Sequence, residues 1–253
     1  MTKWVGRLLL ANIAVFVLTE MYRPQVMRWF ALVPLEVLRE PWTPVTYMFL
    51  HANTVHLIFN MVGIFFFGPR LEMRLGGRDF ARLYFLSGLV AAGFSLIFSP
   101  FAAVIGASGA VFGILIGYAL FWPDEPIYLY FVIPVPAMVL VVAYVGISVF
   151  GGFSGAQDGV AHFAHLGGFV GGWAYLRWRR RKRGAAKESR VARIQRFAED
   201  VRGDSHRWDA IEVDALHEIN RAEVNRLFDK IRESGPSSLS HDERAFLDRM
   251  AAR

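Results

Sequence analysis

Six long apolar runs divide this chain, at about 6–22, 54–69, 80–98, 106–122, 127–149 and 160–178. A hydrocarbon core of about 30 Å takes roughly 17–25 apolar residues per helical crossing. Inside it the backbone must satisfy its own hydrogen bonds, which favours helices. The second and fourth runs are short, so their helices are expected to begin below the membrane surface. Several runs contain Gly, which membrane helices tolerate better than soluble ones. The first run lacks a short apolar core and a small-residue cleavage site, so it is not read as a removed signal peptide.

Charge divides the chain in the same way. Of 28 Lys/Arg and 22 Asp/Glu, residues 1–176 hold only 9 and 8. The remaining 77 residues hold 19 and 14, the composition of a soluble helical segment. Two solvents are implied. The absence of Cys excludes a secreted disulfide scaffold. A net charge of +6 is not a nucleic-acid footprint, because much of the excess is the run Arg177–Arg183 directly after an apolar stretch. No nucleic-acid partner is expected.

Residues 23–50 cannot span a bilayer. They carry Trp29, Phe30, Trp42 and Tyr47 among charges and prolines, which fits a segment lying in the interface with its rings at headgroup level. Lys3 and Arg7 before run one, Arg70, Arg74, Arg78 and Arg82 around the second-to-third connection, and Arg177–Arg183 after run six all fall on one side if there are six crossings. The positive-inside rule makes that side, with both termini, cytoplasmic. Asp124 and Glu125 in the fourth-to-fifth turn disagree mildly, and acidic residues count for little in that rule.

Beyond Gly184 the chain is polar, then periodic. Val213, Leu216, Ile219, Val224, Leu227 and Ile231 recur near helical spacing, which places a helix over 211–233. Gly235-Pro236 ends it. Ser240 and Glu243 form a capping-box pattern that opens a last helix with Phe246, Leu247 and Met250. The domain reading is a membrane domain over 1–178, a basic and polar linker over 179–210, and a small cytoplasmic helical hairpin over 211–253. The hairpin offers a surface for an unidentified cytoplasmic partner and no chemistry.

Polar groups at membrane depth are costly and call for a reason. Run two opens with His51 and carries His56 and Asn60, four apart on one helix face. Run four opens with Gly106-Ala-Ser108-Gly109, and run six carries His162, His165, Gly168 and Gly172. Taken singly, a Ser, a His or a glycine stripe ordinarily serves packing and interhelical hydrogen bonding. Together they suggest more. Gly109, Gly113 and Gly117 recur every fourth residue, and Gly168 and Gly172 share a face with His165. Helices approaching along those stripes would bring the Ser108 hydroxyl towards the His165 ring, the neighbour that a weak nucleophile needs as general base. His56, Asn60 and backbone N–H groups at the start of run four are the available oxyanion donors. Asp158 is the only acidic residue near His165 in sequence, so a Ser–His dyad is expected, not a carboxylate triad.

At these residues the sequence resembles the rhomboid intramembrane serine proteases, over about 5–178. The matching elements are Trp42 with Tyr47–His51, His56-x-x-x-Asn60, Gly68-x-x-x-Glu72 before Arg74-Leu-Gly, Gly106-Ala-Ser108-Gly109 and Ala164-His165-Leu-Gly-Gly. The resemblance implies Ser108 as nucleophile and His165 as base and then acid, with His56, Asn60 and the Ser108 N–H holding the oxyanion. It implies Glu72 as a structural carboxylate bonded within the first loop and second helix, and Gly168 and Gly172 as the glycines three and seven residues after the catalytic His. Gly109 supports the nucleophile. By the same spacing His162 is a neighbour, not the base. The chain departs from the family at Thr43, where an Arg often follows the Trp, and at Phe112, where a Tyr commonly lies under the His.

The resulting expectation is an all-α, polytopic membrane protein: a six-helix rhomboid-like bundle with a small helical tail, multi-pass in a bacterial inner membrane. It would cleave peptide bonds in or near transmembrane segments of other membrane proteins, and would need no metal, nucleotide or organic cofactor. One rival is a catalytically silent rhomboid-like protein that binds membrane clients. Another is a metal-handling membrane protein using His51, His56, His162 and His165.

Overall fold

The computed structural model describes residues 1–129, 132–154 and 161–252. Two compact units divide the chain, 1–180 and 181–253. The first contains α1 (Lys3–Thr19), α2 (Arg23–Phe30), a four-residue α3 (Thr43–Thr46), α4 (Thr54–Leu75), α5 (Gly77–Phe98) and α6 (Ser108–Phe121). A short antiparallel hairpin follows, β1 (Pro126–Leu129) with β2 (Ile133–Pro136), then α7 (Ala137–Phe153) and the first part of α8 (His162–Trp208). The second unit holds the rest of α8, then α9 (Glu218–Ser234) and α10 (His241–Ala251).

The architecture is helical, as the apolar runs require. Residues 3–30 taken together, α4 and α5 are long and apolar enough to cross a bilayer, while α6 and α7 are apolar but shorter, at 14 and 17 residues. The interfacial segment between α1 and α4 consists of α2, α3 and single 3-10 turns. Trp29, Phe30 and Trp42 are partly exposed, whereas Tyr47, read with them as a headgroup-level ring, is buried in the core of the unit. The Trp42 indole N–H donates to the Trp29 carbonyl at 2.8 Å. Thr43, in the family's Arg position, is buried and donates its hydroxyl to the Glu40 carbonyl.

Three expectations change. The fifth apolar run is not helical from 127. Pro134 and Pro136 cannot sit in a helix interior, so residues 126–136 form the hairpin and α7 starts at Ala137. The 179–210 segment, read as a basic and polar linker, is helical as far as Trp208, where α8 ends. In the tail, the helix begins at Glu218 instead of 211. Val213–Ala215 is a 3-10 turn, Leu216 is extended, and Ile219 is 75% exposed. Val224 and Leu227 remain the buried stripe, packed with Trp208, Leu239, Leu247 and Met250. The Ser240–Glu243 capping box is formed, and Glu243 also receives Lys230 and Arg226.

Glu72 supplies a fourth correction. Its carboxylate does not bond within the first loop. It accepts from Thr2 Oγ1, from Trp4 N at 3.0 Å and from Val5 N at 3.0 Å. Those N–H groups belong to the first turn of α1, which has no intrahelical partner for them and carries the positive end of the helix dipole. The last turn of α4 therefore caps α1. Two further ties hold the same end of the bundle. Arg179 of α8 bonds Asp79 at 2.5 Å and the Leu75 carbonyl at 2.9 Å. Arg70 pairs with Glu125 at 2.9 Å and lies 4.3 Å over the Trp122 ring. The acidic residue that fits the charge rule poorly is thus matched locally.

Candidate active site

Small residues let α5, α6 and α8 converge. A methyl built on Gly168 would strike the Gly109 carbonyl, and one on Gly172 would lie 2.8 Å from the Gly113 Cα. On the other side of α8, a methyl on Gly171 would lie 2.9 Å from the Ser87 Cα of α5. Glycine at these positions permits backbone-to-backbone contact that no larger residue allows. The approach sets the next distance: Ser108 Oγ lies 2.9 Å from His165 Nε2.

The residues leading into Ser108 are held by main-chain bonds to the α1–α4 connection. Leu32 N–H donates to the Val104 carbonyl and Val104 N–H returns the bond, at 3.0 and 2.8 Å. Gly106 N–H donates to the Tyr47 carbonyl at 2.9 Å, while the Tyr47 hydroxyl donates to the Gly88 carbonyl of α5. Gly106 takes φ +116°, a region that residues with a Cβ rarely enter. Ser108 then opens α6, where the first N–H groups have no carbonyl behind them. One turn along, Phe112 lies 4.5 Å from His165 between ring centroids, tilted by 53°.

His56 stands beside this turn. Asn53 caps α4 by accepting the His56 N–H at 2.9 Å. The Ala52 N–H donates to His56 Nδ1 at 3.4 Å, so Nδ1 is the acceptor nitrogen and Nε2 carries the proton of the neutral ring. A Cβ on Gly106 would lie 2.6 Å from that Nε2, which places the ring against the turn that leads into Ser108. Asn60, one helical turn on, is buried and spends one Nδ2–H on the His56 carbonyl at 2.9 Å, leaving the other. His51 is buried edge-on to His56, with centroids 5.1 Å apart.

The residues named from sequence thus fall into groups. Ser108, His165, His56, Gly109 and Gly168 cluster at one end of α6; Asn60 is a turn behind His56, and Gly113 and Gly172 continue the seam. Glu72 is elsewhere, at the end of α4 that caps α1. His162 packs its ring against Gly151 of α7, with its centroid 6.5 Å from that of His165. Asp158 lies outside the described residues. Sequence reading missed Tyr47 as an anchor, the positive φ of Gly106 and the tautomer-setting Ala52 N–H. The Gly two residues before Ser108 was a usable signal for the second. Backbone donors leave no trace in side-chain identity. Among the described residues, no group of three or more His, Cys, Asp or Glu side chains gathers as a metal ligand set.

Comparison with known proteins points the same way as the geometry. RHOMBOID-like protein 4 of Arabidopsis thaliana is 36% identical over 135 residues, covering 53% of this chain and 33% of that protein. RHOMBOID-like protein 12, mitochondrial, of the same plant is 29% identical over 197 residues, covering 70% of this chain and 58% of that protein. Rhomboid-like protease 3 of Toxoplasma gondii is 36% identical over 139 residues, covering 53% of this chain and 50% of that protein. The chain therefore spans between a third and about three-fifths of the length of these relatives. The Rhomboid domain family model matches residues 38–182, which include Ser108, His165, His56 and Asn60. With that match over more than half its length, the chain belongs to the rhomboid family of multi-pass integral membrane proteins.

Proposed function

We propose that the chain is an intramembrane serine endopeptidase hydrolysing peptide bonds in or near transmembrane segments of other membrane proteins. The observation that carries this reading is the 2.9 Å separation of Ser108 Oγ and His165 Nε2 at the first residue of α6. In this reading His165 Nε2 takes the hydroxyl proton as Oγ bonds to the scissile carbonyl carbon. It returns that proton to the amine nitrogen as the C–N bond breaks, and water then repeats the sequence on the acyl-enzyme. The Ser108 N–H, His56 Nε2–H and the remaining Asn60 Nδ2–H are the donors for the oxyanion, supported by the positive end of α6. Phe112 packs against the His165 ring and offers no hydroxyl.

A substrate helix has to unwind to present its carbonyl, so small or helix-breaking residues near the cut are expected. The bundle is read as six crossings in a bacterial inner membrane with both termini cytoplasmic, which puts Ser108 below the opposite surface. The membrane part, 1–178, carries the chemistry. The 211–253 hairpin is read as a docking element for a cytoplasmic partner. A serine-directed activity probe in proteoliposomes tests the reading. Labelling that disappears in Ser108→Ala and survives chelator supports the protease. No labelling of well-inserted protein supports a silent client-binding protein, and chelator-sensitive behaviour independent of Ser108 supports metal handling.

A further inference from the structure

Between α6 and α7 the chain forms a hairpin whose outer surface does not suit water. Its register pairs Pro126 with Pro136, Ile127 with Val135, Tyr128 with Pro134 and Leu129 with Ile133. Ile127, Leu129 and Val135 pack against the cluster containing Leu115, Tyr118 and Leu140. A hairpin with its other face in water carries polar residues there. Here the other face carries Tyr128, 57% exposed, and prolines, while Val132 and Ile133, where β2 begins, are 75% and 54% exposed. No charged residue occurs between Glu125 and Asp158.

The neighbouring helices show what covers that surface. At 1.5 Å per residue, α6 is about 21 Å long and α7 about 25 Å. Each falls short of a core of about 30 Å. The hairpin sits where α6 stops and α7 begins, at the end of α6 opposite Ser108, and its base is tied by Ala137 N–H to the Glu125 carbonyl at 2.9 Å. Its exposed side chains continue into the exposed, uncharged face of α7 at Val139 and Val142. In a multi-pass membrane protein that face meets lipid.

We propose that the β1–β2 hairpin is seated in the bilayer, at the boundary between headgroups and acyl chains, where it completes the crossings that α6 and α7 leave short. Its backbone fits that depth and no greater one. Both strands are edges, and open edges are not tolerated in the hydrocarbon centre. Pro126, Pro134 and Pro136 remove three N–H donors from those edges, which also blunts pairing with another strand. Arg70, paired with Glu125 and placed over Trp122, is a charged and aromatic group at the level of the hairpin base. The proposal is independent of whether Ser108 is reactive.

The chain contains no Cys, so single-Cys variants report one position each. Tyr128→Cys and Ile133→Cys, reconstituted in phosphatidylcholine vesicles, are compared with Ser237→Cys as the water reference and Phe150→Cys on α7 as the lipid reference. Reaction with a polar maleimide admitted to both faces is expected to slow roughly tenfold against Ser237→Cys. An environment-sensitive fluorophore at either position is expected to be quenched by lipids spin-labelled near the headgroup end of the chain. Labelling as fast as at Ser237→Cys, without lipid quenching, overturns the proposal. Protection that rises with the protein-to-lipid ratio also overturns it, because a second copy would then be the cover. Two sites are used so that poor insertion of one variant leaves the other to decide.

Discussion

The His56 ring occupies the space that a side chain on Gly106 would need: a Cβ there would lie 2.6 Å from Nε2 and 2.7 Å from Cε1. Gly106 also has φ +116°, so the position resists substitution twice, through backbone strain and through contact with the donor ring. Gly106→Ala is expected to push His56 away from the nucleophile turn while the bundle stays inserted. If His56 is a full oxyanion donor, kcat falls by roughly 10²-fold with little change in KM. Reporter cleavage under saturating and limiting substrate separates the two parameters, and an unchanged kcat removes His56 from that role.

His165→Ala is expected to abolish cleavage of a membrane reporter, because His165 Nε2 is the ring nitrogen placed 2.9 Å from Ser108 Oγ. His162→Ala should retain most activity, since that ring packs against Gly151. Paired reporter assays with matched expression check this. Activity lost in the second variant and kept in the first would reverse the assignment of the base.

Gly168→Ala places a methyl against the Gly109 carbonyl, backbone that cannot rotate away. The Cβ would lie 2.0 Å from that oxygen, so the seam between α6 and α8 must open by about 1 Å. Overpacking of this kind costs about 1–3 kcal/mol. A fall in the thermal midpoint in detergent, accompanied by weaker serine-probe labelling, is the expected signature.

Glu72→Gln keeps the shape of the α1 cap but exchanges a charge-assisted acceptor for a neutral one. The loss expected is about 1 kcal/mol, the scale of a helix N-terminal charge interaction. Thermal unfolding in detergent should show it, while probe labelling at Ser108 remains near normal, since Glu72 lies away from the dyad.

In the tail, Lys230 and the Ser240 N–H hold the Glu243 carboxyl down to about 2, from an ordinary value of 4.5. A carboxylate lowered on folding stabilises the folded form above its unfolded value and loses that contribution as pH falls. Amide exchange in α10 should therefore accelerate as pH drops from 4.5 towards 2, beyond the intrinsic pH effect on exchange. Glu243→Gln should flatten that response and raise exchange at neutral pH.

Much of the candidate site was legible because the side chains it brings together recur at helical spacing. Ser108, His165 and the glycine face could be aligned from periodicity alone, and Ser240 with Glu243 announced a helix start. The hairpin was harder to read. An uncharged apolar run from 127 to 149 satisfies a helix and a strand equally, and only Pro134 and Pro136 argue between them. Glu72 was misplaced for another reason: its partners are 67–70 residues away and two of them are backbone groups. Val213 and Leu216 pack against the tail core from a 3-10 turn and the extended residue after it, so periodicity extended α9 backwards past its true start.

Ser108 and His165 are 57 residues apart in the chain, while the segment leading into Ser108 is pinned by Leu32 and Tyr47, which precede it. During synthesis the scaffold around Ser108 is thus available before His165. Once α6 has been made, the turn that leads into Ser108 has its main-chain partners, and His165 is still to come. The contact between the two side chains needs α8 packed along its glycines, so the turn that holds Ser108 and the imidazole that meets it are supplied by parts of the chain made at different times.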